Sequence, residues 1–239
     1  IRFIRFKIMY NNKVEPTISQ VIKLNLNGIK RISKERILLE LFKILDLKNF
    51  IYLNKSDSLK EIFSLIFPEL KNLDRLDRLT TICDHSQINR NILLAVLLID
   101  EKDNHEYFAH KYNISNNIKE NLSLLARDFK LSRENKDFFN RDLEKNIYLN
   151  SKDHLINLNI MGYTSNAKSK LKDFSEKLRK IIESKTRMLP IDGKYLIQHG
   201  MKEGSTLGKV LQIIEDEWIN NNFKISKERV AEIIKLNSN

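Results

Sequence analysis

Cysteine occurs once in this 239-residue sequence, proline three times and glycine six times. A lone cysteine, Cys83, excludes an intramolecular disulfide and any zinc site built on several thiolates. It is expected to be a buried thiol in a reducing cytoplasm. So few chain breakers exclude a many-turned β sandwich or barrel and suit an all-α chain. No segment alternates β-branched residues with period two. Long apolar runs are missing too. The longest, "ILLAVLLI" at Ile92–Ile99, falls far short of the roughly 20 residues that span a bilayer. The opening "IRFIRFKIMY" interleaves cations with apolar side chains, whereas a signal peptide keeps them apart. A cytoplasmic protein without membrane contact is expected. The sequence does not begin with Met, which suits the downstream piece of something longer.

The sequence also has no recognisable engine for bond-making. It contains no D-x-D, no adjacent glycines, and no G-x-S-x-G or G-K-[ST] loop. The five histidines, His85, His105, His110, His154 and His199, never reach a metal-ligand spacing. They are expected at the surface or half-buried, so no catalytic and no metal-binding residue is assigned. Asp74 and Asp77 in "LDRLDRL" are paired carboxylates. Arg78 stands four residues after Asp74, so a solvated, ion-paired face is expected there.

Positive charge and helical periodicity are what the sequence has in plenty. The net charge is +11. Residues 1–50 hold 11 basic and 4 acidic side chains, 51–120 hold 9 and 11, and 121–239 hold 22 and 16. A basic–acidic–basic chain offers two patches that could track a phosphate backbone. A composition dominated by Lys, Asn and Ile explains the same charge without a partner.

Helix starts are marked in several places. Pro16 fits the first turn of a helix through "TISQVIKLNLN", with Gly28 as its stop. A second helix follows Ser33. Ser58 with Glu61 fits a capping box. Pro68 breaks the chain, after which Leu70, Leu73, Leu76 and Leu79 recur at steps of three. The helix around Ile92–Ile99 is expected to be surrounded on all sides. Further helices are expected to start near Ser115, Ser132, Ser151 and Ser165. "YTSNAKSK" near 165 is the expected flexible joint. The pentapeptide ISKER occurs twice, at Ile32–Arg36 and Ile225–Arg229. Similarity does not extend beyond it, so it is a helix start used twice, not a repeat.

Two stretches carry candidate binding residues. In Leu189–Phe223, Gly193 is followed by Gly200, Gly204 and Gly208. This reads as helix, tight turn, helix. Gly200 supplies a left-handed stop, Ser205 caps the second helix and Gly208 lets two helices approach. Amides at the helix start, with Lys194, Lys202 and Lys209 around them, would hold a phosphate. The pattern resembles helix-hairpin-helix modules, which grip a nucleic-acid backbone without reading sequence. A purely architectural corner fits it equally. Upstream, Lys168, Lys170, Lys172, Arg179 and Lys180 belong to a stretch, Lys168–Arg187, that reads either as a solvated amphipathic face or as an RNA face.

Three segments together resemble the class II tRNA nucleotidyltransferase (CCA-adding) and poly(A) polymerase family. They are "RFIRFKIMY", then "GIKRISKERILLELFKIL" followed by "IFPEL", then "PIDGKYLIQHGMKEGSTLGKVLQIIEDEWINNNF". The resemblance is strongest at 28–45 and 189–223. It implies an elongated all-α array of neck, body and tail helical domains. Residues 1–11 would end a head–neck junction, and 12–110 would form the neck and the start of the body. Residues 111–164 would be body helices, and 165–239 a tail with the glycine-rich hairpin. The family's catalytic head, with its D-x-D, would lie upstream of Ile1. Mg²⁺ and CTP or ATP are therefore implied for that head and not for this chain. Arg31, Ser33, Glu35 and Arg36, with Glu40 one turn on, match a neck motif whose helix braces the nucleotide pocket. Family members often have Pro beside the position of Gly204, where this chain has Glu203 and Ser205. The implied partners are tRNA or another structured RNA, and a separately encoded head. The chain alone is expected to lack nucleotidyltransferase activity. The alternatives are a non-catalytic RNA-binding remnant and a decaying gene product. CCA addition, A-only addition and poly(A) tailing are not distinguished, because that choice belongs to the head.

Overall fold

A computed structural model describes residues 1–10, 15–82 and 88–237. Cys83 and His85 lie outside them. The described residues form fourteen α-helices, two 3₁₀ segments and no strand. The chain is all-α, as its poverty in Gly and Pro requires.

In chain order the helices begin with α1 (Arg2–Met9), α2 (Pro16–Leu24), α3 (Lys34–Leu45), α4 (Asp57–Ile66) and α5 (Arg75–Leu79). Then come α6 (Arg90–Leu98), α7 (Asn104–Tyr112), α8 (Asn116–Glu134), α9 (Leu143–Asn150) and α10 (Lys152–Ser165). The last are α11 (Leu171–Glu183), α12 (Gly193–Gln198), α13 (Ser205–Asn220) and α14 (Lys227–Asn237). The 3₁₀ segments are Leu26–Arg31 and Lys48–Lys55. The chain divides into two compact units, 1–136 with 153–180, and 137–152 with 181–239.

The first unit is built around α6. Every residue from Ile92 to Leu98 is buried, as an apolar helix without a polar face must be. A buried helix end needs partners for its orphan carbonyls. Arg75 supplies two, donating to Val96 O at 2.9 Å and Ile99 O at 2.8 Å. Asn72 Nδ2 donates to Leu97 O at 3.0 Å, and Asn104 Nδ2 to Leu98 O at 3.0 Å. Leu70, Leu73, Leu76 and Leu79 are all buried, but only Arg75–Leu79 is α-helical.

The arginines of "LDRLDRL" do not form the expected ion-paired face. Arg78 donates to the carbonyls of Tyr163 at 2.9 Å, Ala167 at 3.1 Å and Ser169 at 2.6 Å. The segment expected to be a flexible joint is thus held by a guanidinium fork.

Several helix limits shift for local reasons. Asn25 ends α2 early: its side chain donates to Val21 O at 2.8 Å, and Gly28 falls inside a 3₁₀ segment instead of stopping the helix. α4 is capped by Ser56, whose Oγ accepts from the Leu59 N–H at 3.4 Å, two residues before the expected Ser58. Ser132 and Ser165 start no helix. They sit in the last turns of α8 and α10, where their hydroxyls bond back to Phe129 O and Gly162 O. Ser115 and Ser151 do directly precede α8 and α10.

Two histidines are buried instead of surface or half-buried. His105 and His154 are each 7% exposed. His154 Nε2 lies 2.9 Å from Asp128 Oδ2, joining α10 to α8.

The second unit closes on Leu196, Val210, Ile214, Val230, Ile233 and Ile234 from α12, α13 and α14, with Met201 from the turn between α12 and α13. α9 adds Tyr148, whose ring meets Trp218 edge-on at 5.3 Å and whose hydroxyl donates to Glu215.

Candidate functional site

The hairpin of α12 and α13 is the best-formed of the expected features. Asp192 Oδ1 accepts the Tyr195 N–H at 2.9 Å and opens α12. The helix ends in a Schellman motif. Gly200 N–H bonds to Ile197 O at 3.0 Å, and Met201 N–H to Leu196 O at 3.1 Å. Gly200 has φ +95°, the left-handed backbone that glycine tolerates. Leu196 and Met201 meet in the core beneath it.

Gly204, with φ +148°, is the N-cap of α13, and Ser205 is the first helical residue instead of the cap. Glycine has no side chain, so no side chain caps the first turn of this 16-residue helix, and of its amides the Leu207 N–H bonds to Gly204 O at 3.2 Å. The remaining donors, at the positive end of a helix dipole, can face an anion. Gly208 does not relieve a close approach, because a Cβ there meets nothing within 4 Å. Gly193 does, since its Cβ would lie 3.2 Å from Leu207 Cδ2.

Lys194, Lys202 and Lys209 are all exposed on this hairpin. Beside Lys194, the rings of Tyr195 and His199 stack with centroids 4.1 Å apart and planes at 23°. His199 Nδ1 lies 2.8 Å from Tyr195 O, which fixes the imidazole, and the residue is exposed. Sequence reasoning missed this aromatic pair. Its signal was the Y-x-x-x-H spacing, which puts both rings on one helix face.

In α11, Phe174 and Ile181 are buried and Leu178 half-buried, an i, i+4, i+7 stripe. Lys172, Arg179 and Lys180 fall on its exposed remainder, and Lys168 and Lys170 are exposed just before it. Lys172 Nζ sits 3.9 Å from Glu176 Oε1. The turn into the helix is organised by Asn166, whose side chain accepts the Lys168 N–H at 3.0 Å.

At the other end of the sequence, α1 lies against α3. Ser33 Oγ accepts the Arg36 N–H at 3.4 Å and starts α3. Arg31, Ser33, Glu35 and Arg36 are exposed, whereas Glu40 is 8% exposed. Arg5 Nε approaches Glu40 at 3.5 Å, Lys43 Nζ at 3.3 Å and Arg2 Nε at 3.8 Å. Two arginines of the "RFIRF" stretch therefore meet a buried carboxylate of α3, one turn beyond "ISKER". Phe6 and Tyr10 remain exposed on α1, with rings 6.4 Å apart, and Leu39 is exposed on α3.

The two copies of ISKER share their start and differ afterwards. Ser226 Oγ accepts the Arg229 N–H at 3.1 Å, as Ser33 does for Arg36. Arg229 then forks onto Glu217 at 2.8 Å and reaches Glu232 at 2.7 Å. Arg36 has no such ion pair among the described residues.

The assigned residues fall in both compact units. Arg31, Ser33, Glu35, Arg36, Lys168, Lys170, Lys172, Arg179 and Lys180 are in the first. Lys194, Gly200, Lys202, Gly204, Gly208 and Lys209 are in the second. No helix among the described residues is long and apolar enough to cross a membrane.

No protein-family model and no curated protein matches this sequence. The fold does have a counterpart. It is similar to the crystal structure of Bacillus stearothermophilus CCA-adding enzyme in complex with CTP, with a TM-score of 0.63. The likeness covers 98% of this chain and 60% of that one, at 16% sequence identity. The chain therefore shares a fold with that CCA-adding enzyme over nearly its whole length and spans about 60% of that protein's length.

Proposed function

We propose that this chain is the RNA-holding helical part of a tRNA nucleotidyltransferase or poly(A) polymerase. It acts in tRNA 3′-end (CCA) processing, with a separately encoded catalytic head. The observation that carries this reading is the fold likeness to a CCA-adding enzyme over 98% of a chain that itself contains no D-x-D. Two-metal nucleotidyl transfer needs carboxylates to bridge the ions, so catalysis belongs to the partner. The proposed partners are tRNA or another structured RNA, and that head.

Within this reading the α12–α13 hairpin binds RNA backbone. The open first turn of α13 and the exposed Lys194, Lys202 and Lys209 support it. Lys168, Lys170, Lys172, Arg179 and Lys180 form a second basic surface for RNA. Arg31, Ser33, Glu35 and Arg36 brace the head's nucleotide pocket from the start of α3 and the 3₁₀ segment before it. The exposed Phe6, Tyr10 and Leu39 support docking of the head on this side of the first unit.

The test is nucleotide incorporation onto tRNA lacking its terminal CCA, by this chain alone and with a head fragment added. The expected result is tRNA binding without incorporation by the chain alone, and incorporation once the head is present. Incorporation by the purified chain alone would overturn the assignment of catalysis to a partner. Absence of tRNA binding would overturn the RNA-holding role.

A further inference from the structure

All three guanidinium nitrogens of Arg78 donate to one short stretch of the first unit. Nε bonds to Tyr163 O in α10. The two terminal nitrogens bond to Ala167 O at 3.1 Å and Ser169 O at 2.6 Å, in the loop before α11. Lys168 lies between the two held loop residues, and Lys170 follows directly.

The rest of the loop is held as well. Asn166 Oδ1 accepts the Lys168 N–H at 3.0 Å, and Asn166 O accepts the Ser169 N–H at 3.0 Å. Lys170 O accepts the Phe174 N–H at 3.2 Å, which opens α11. Tyr163 is fixed in turn. Its ring centroid lies 4.1 Å from the Arg78 guanidinium carbon and 5.3 Å from that of Phe174, and its hydroxyl is 3.0 Å from Thr81 Oγ1.

Solvation does not require this arrangement. Asn166, Ala167, Lys168 and Lys170 are exposed, and an exposed carbonyl such as that of Ala167 can bond to water instead, with little net difference. A half-buried arginine committed to the loop therefore selects one conformation of it. That conformation belongs to a backbone carrying two exposed lysines. Neither lysine, nor Arg78 itself, forms an ion pair among the described residues, and the first turn of α11 carries one acid, Asp173. Ordering such a backbone before its partner arrives removes that cost from binding.

We infer that Arg78 is a positioning residue for RNA. It keeps 166–170 in the shape in which Lys168 and Lys170 meet the phosphate backbone, and it acts through them. The inference rests on the RNA-holding role and adds to it a residue of α5 that itself meets no phosphate.

The experiment is a double-mutant cycle on tRNA binding by the intact chain, in filter assays across about 50–300 mM salt. Its arms are Arg78→Lys, the pair Lys168→Ala with Lys170→Ala, and all three together. Arg78→Lys retains the charge and loses the fork. It is expected to weaken binding about tenfold and to lower the log–log salt slope, as the pair does. Added to the pair, it is expected to change affinity by less than about twofold. A merely structural role would weaken binding alike in both backgrounds and leave the slope unchanged. The order parameter of the Lys168 amide is expected to fall from about 0.85 to below about 0.6 in Arg78→Lys. Circular dichroism checks that each variant is folded at the assay temperature. If Arg78→Lys is not, Asn166→Ala, which removes the acceptor of the Lys168 N–H, takes its place in the same cycle. Equal weakening with and without the two lysines, an unaltered slope or affinity, or a rigid Lys168 amide in the variant would overturn the inference and leave the RNA-holding role standing. An unaltered chain that binds no tRNA would overturn both.

Discussion

Arg78 Nε donates to the carbonyl of Tyr163 at 2.9 Å, and the guanidinium carbon lies 4.1 Å from the centroid of the same residue's ring. One side chain thus fixes the end of α10 by its edge and by its face. The fork also reaches Ala167 and Ser169, so it orders the turn that leads into the basic helix α11. Charge-assisted hydrogen bonds contribute about 1.5–3 kcal/mol each, non-additively. Arg78→Ala is expected to lower unfolding free energy by about 3 kcal/mol in urea titrations. Arg78→Lys should recover little, because an ammonium cannot fork to three carbonyls or lie flat on a ring. A lysine variant of full stability would show that the fork geometry contributes nothing.

Glycines of one hairpin are expected to respond with opposite signs. Gly200 and Gly204 hold φ of +95° and +148°, where a side chain is strained. Alanine at either should cost about 1–3 kcal/mol. Gly208 lies inside α13 with open space around a Cβ, so Gly208→Ala should stabilise by roughly 0.4–1 kcal/mol. Thermal midpoints of the three single variants check this. A fall at Gly208 equal to that at Gly200 would show that the hairpin needs a small residue there for another reason.

His154 gives stability a pH dependence. Burial pushes its pKa below the usual value, and the contact with Asp128 opposes that shift only in part. The folded state therefore favours neutral imidazole, with Nε2–H donating to Asp128. The unfolded chain binds a proton near pH ~6.5, so below that pH it holds more protons than the folded one. Stability from this residue is complete above about pH 6.5 and falls as pH drops toward the lowered folded value. Denaturant midpoints between about pH 8 and 5 should show this loss, and His154→Gln should flatten it. An unchanged slope in the variant would assign the dependence to other groups.

Burial and the bond to Glu215 push the Tyr148 hydroxyl up to about 12. Trp218, the single tryptophan, lies beside that ring and reports its ionisation by quenching. Its emission is expected to hold through about pH 10–11, while the other phenols titrate in absorbance. Glu215→Gln removes the charged acceptor and should bring the quenching to lower pH. Quenching near pH ~10, the ordinary phenol value, in the unaltered protein would contradict the half-buried, bonded hydroxyl.

The features legible in the sequence were those fixed by neighbours along the chain. Ser33 and Ser226 cap their helices because the caps need only the next three residues. The apolar run of α6 announces its burial, and Gly200 ends α12 as its position suggests. Misread features were settled by distant partners. Arg78 looked like one half of an i,i+4 pair with Asp74, yet its acceptors lie about ninety residues away. Ser132 and Ser165 looked like starts because a serine near a helix end can serve as a cap or bond back to the preceding turn. The buried pair of His154 and Asp128 joins two helices that nothing in their spacing connects. The basic residues were readable as exposed. Their division between two compact units was not, because residues 153–180 pack with the N-terminal helices while 181–239 belong to the second unit.

The aromatic pair on the hairpin separates two kinds of RNA recognition within the proposed function. Lysines at 194, 202 and 209 act on phosphate, so neutralising any one of them should reduce the salt dependence of binding by about 0.7–0.9 in log–log slope. The exposed face of His199, backed by Tyr195, is a platform on which an unpaired base can stack, an interaction that contributes about 1–3 kcal/mol and depends little on salt. His199→Ala is therefore expected to weaken binding to tRNA by roughly five- to a hundredfold with an unchanged slope. Lys202→Glu should weaken it with a reduced slope. Filter binding of both variants across about 50–300 mM salt distinguishes them. Equal slopes in the two variants, with weaker affinity in both, would mean that the hairpin contributes through its fold and not through separate phosphate and base interactions.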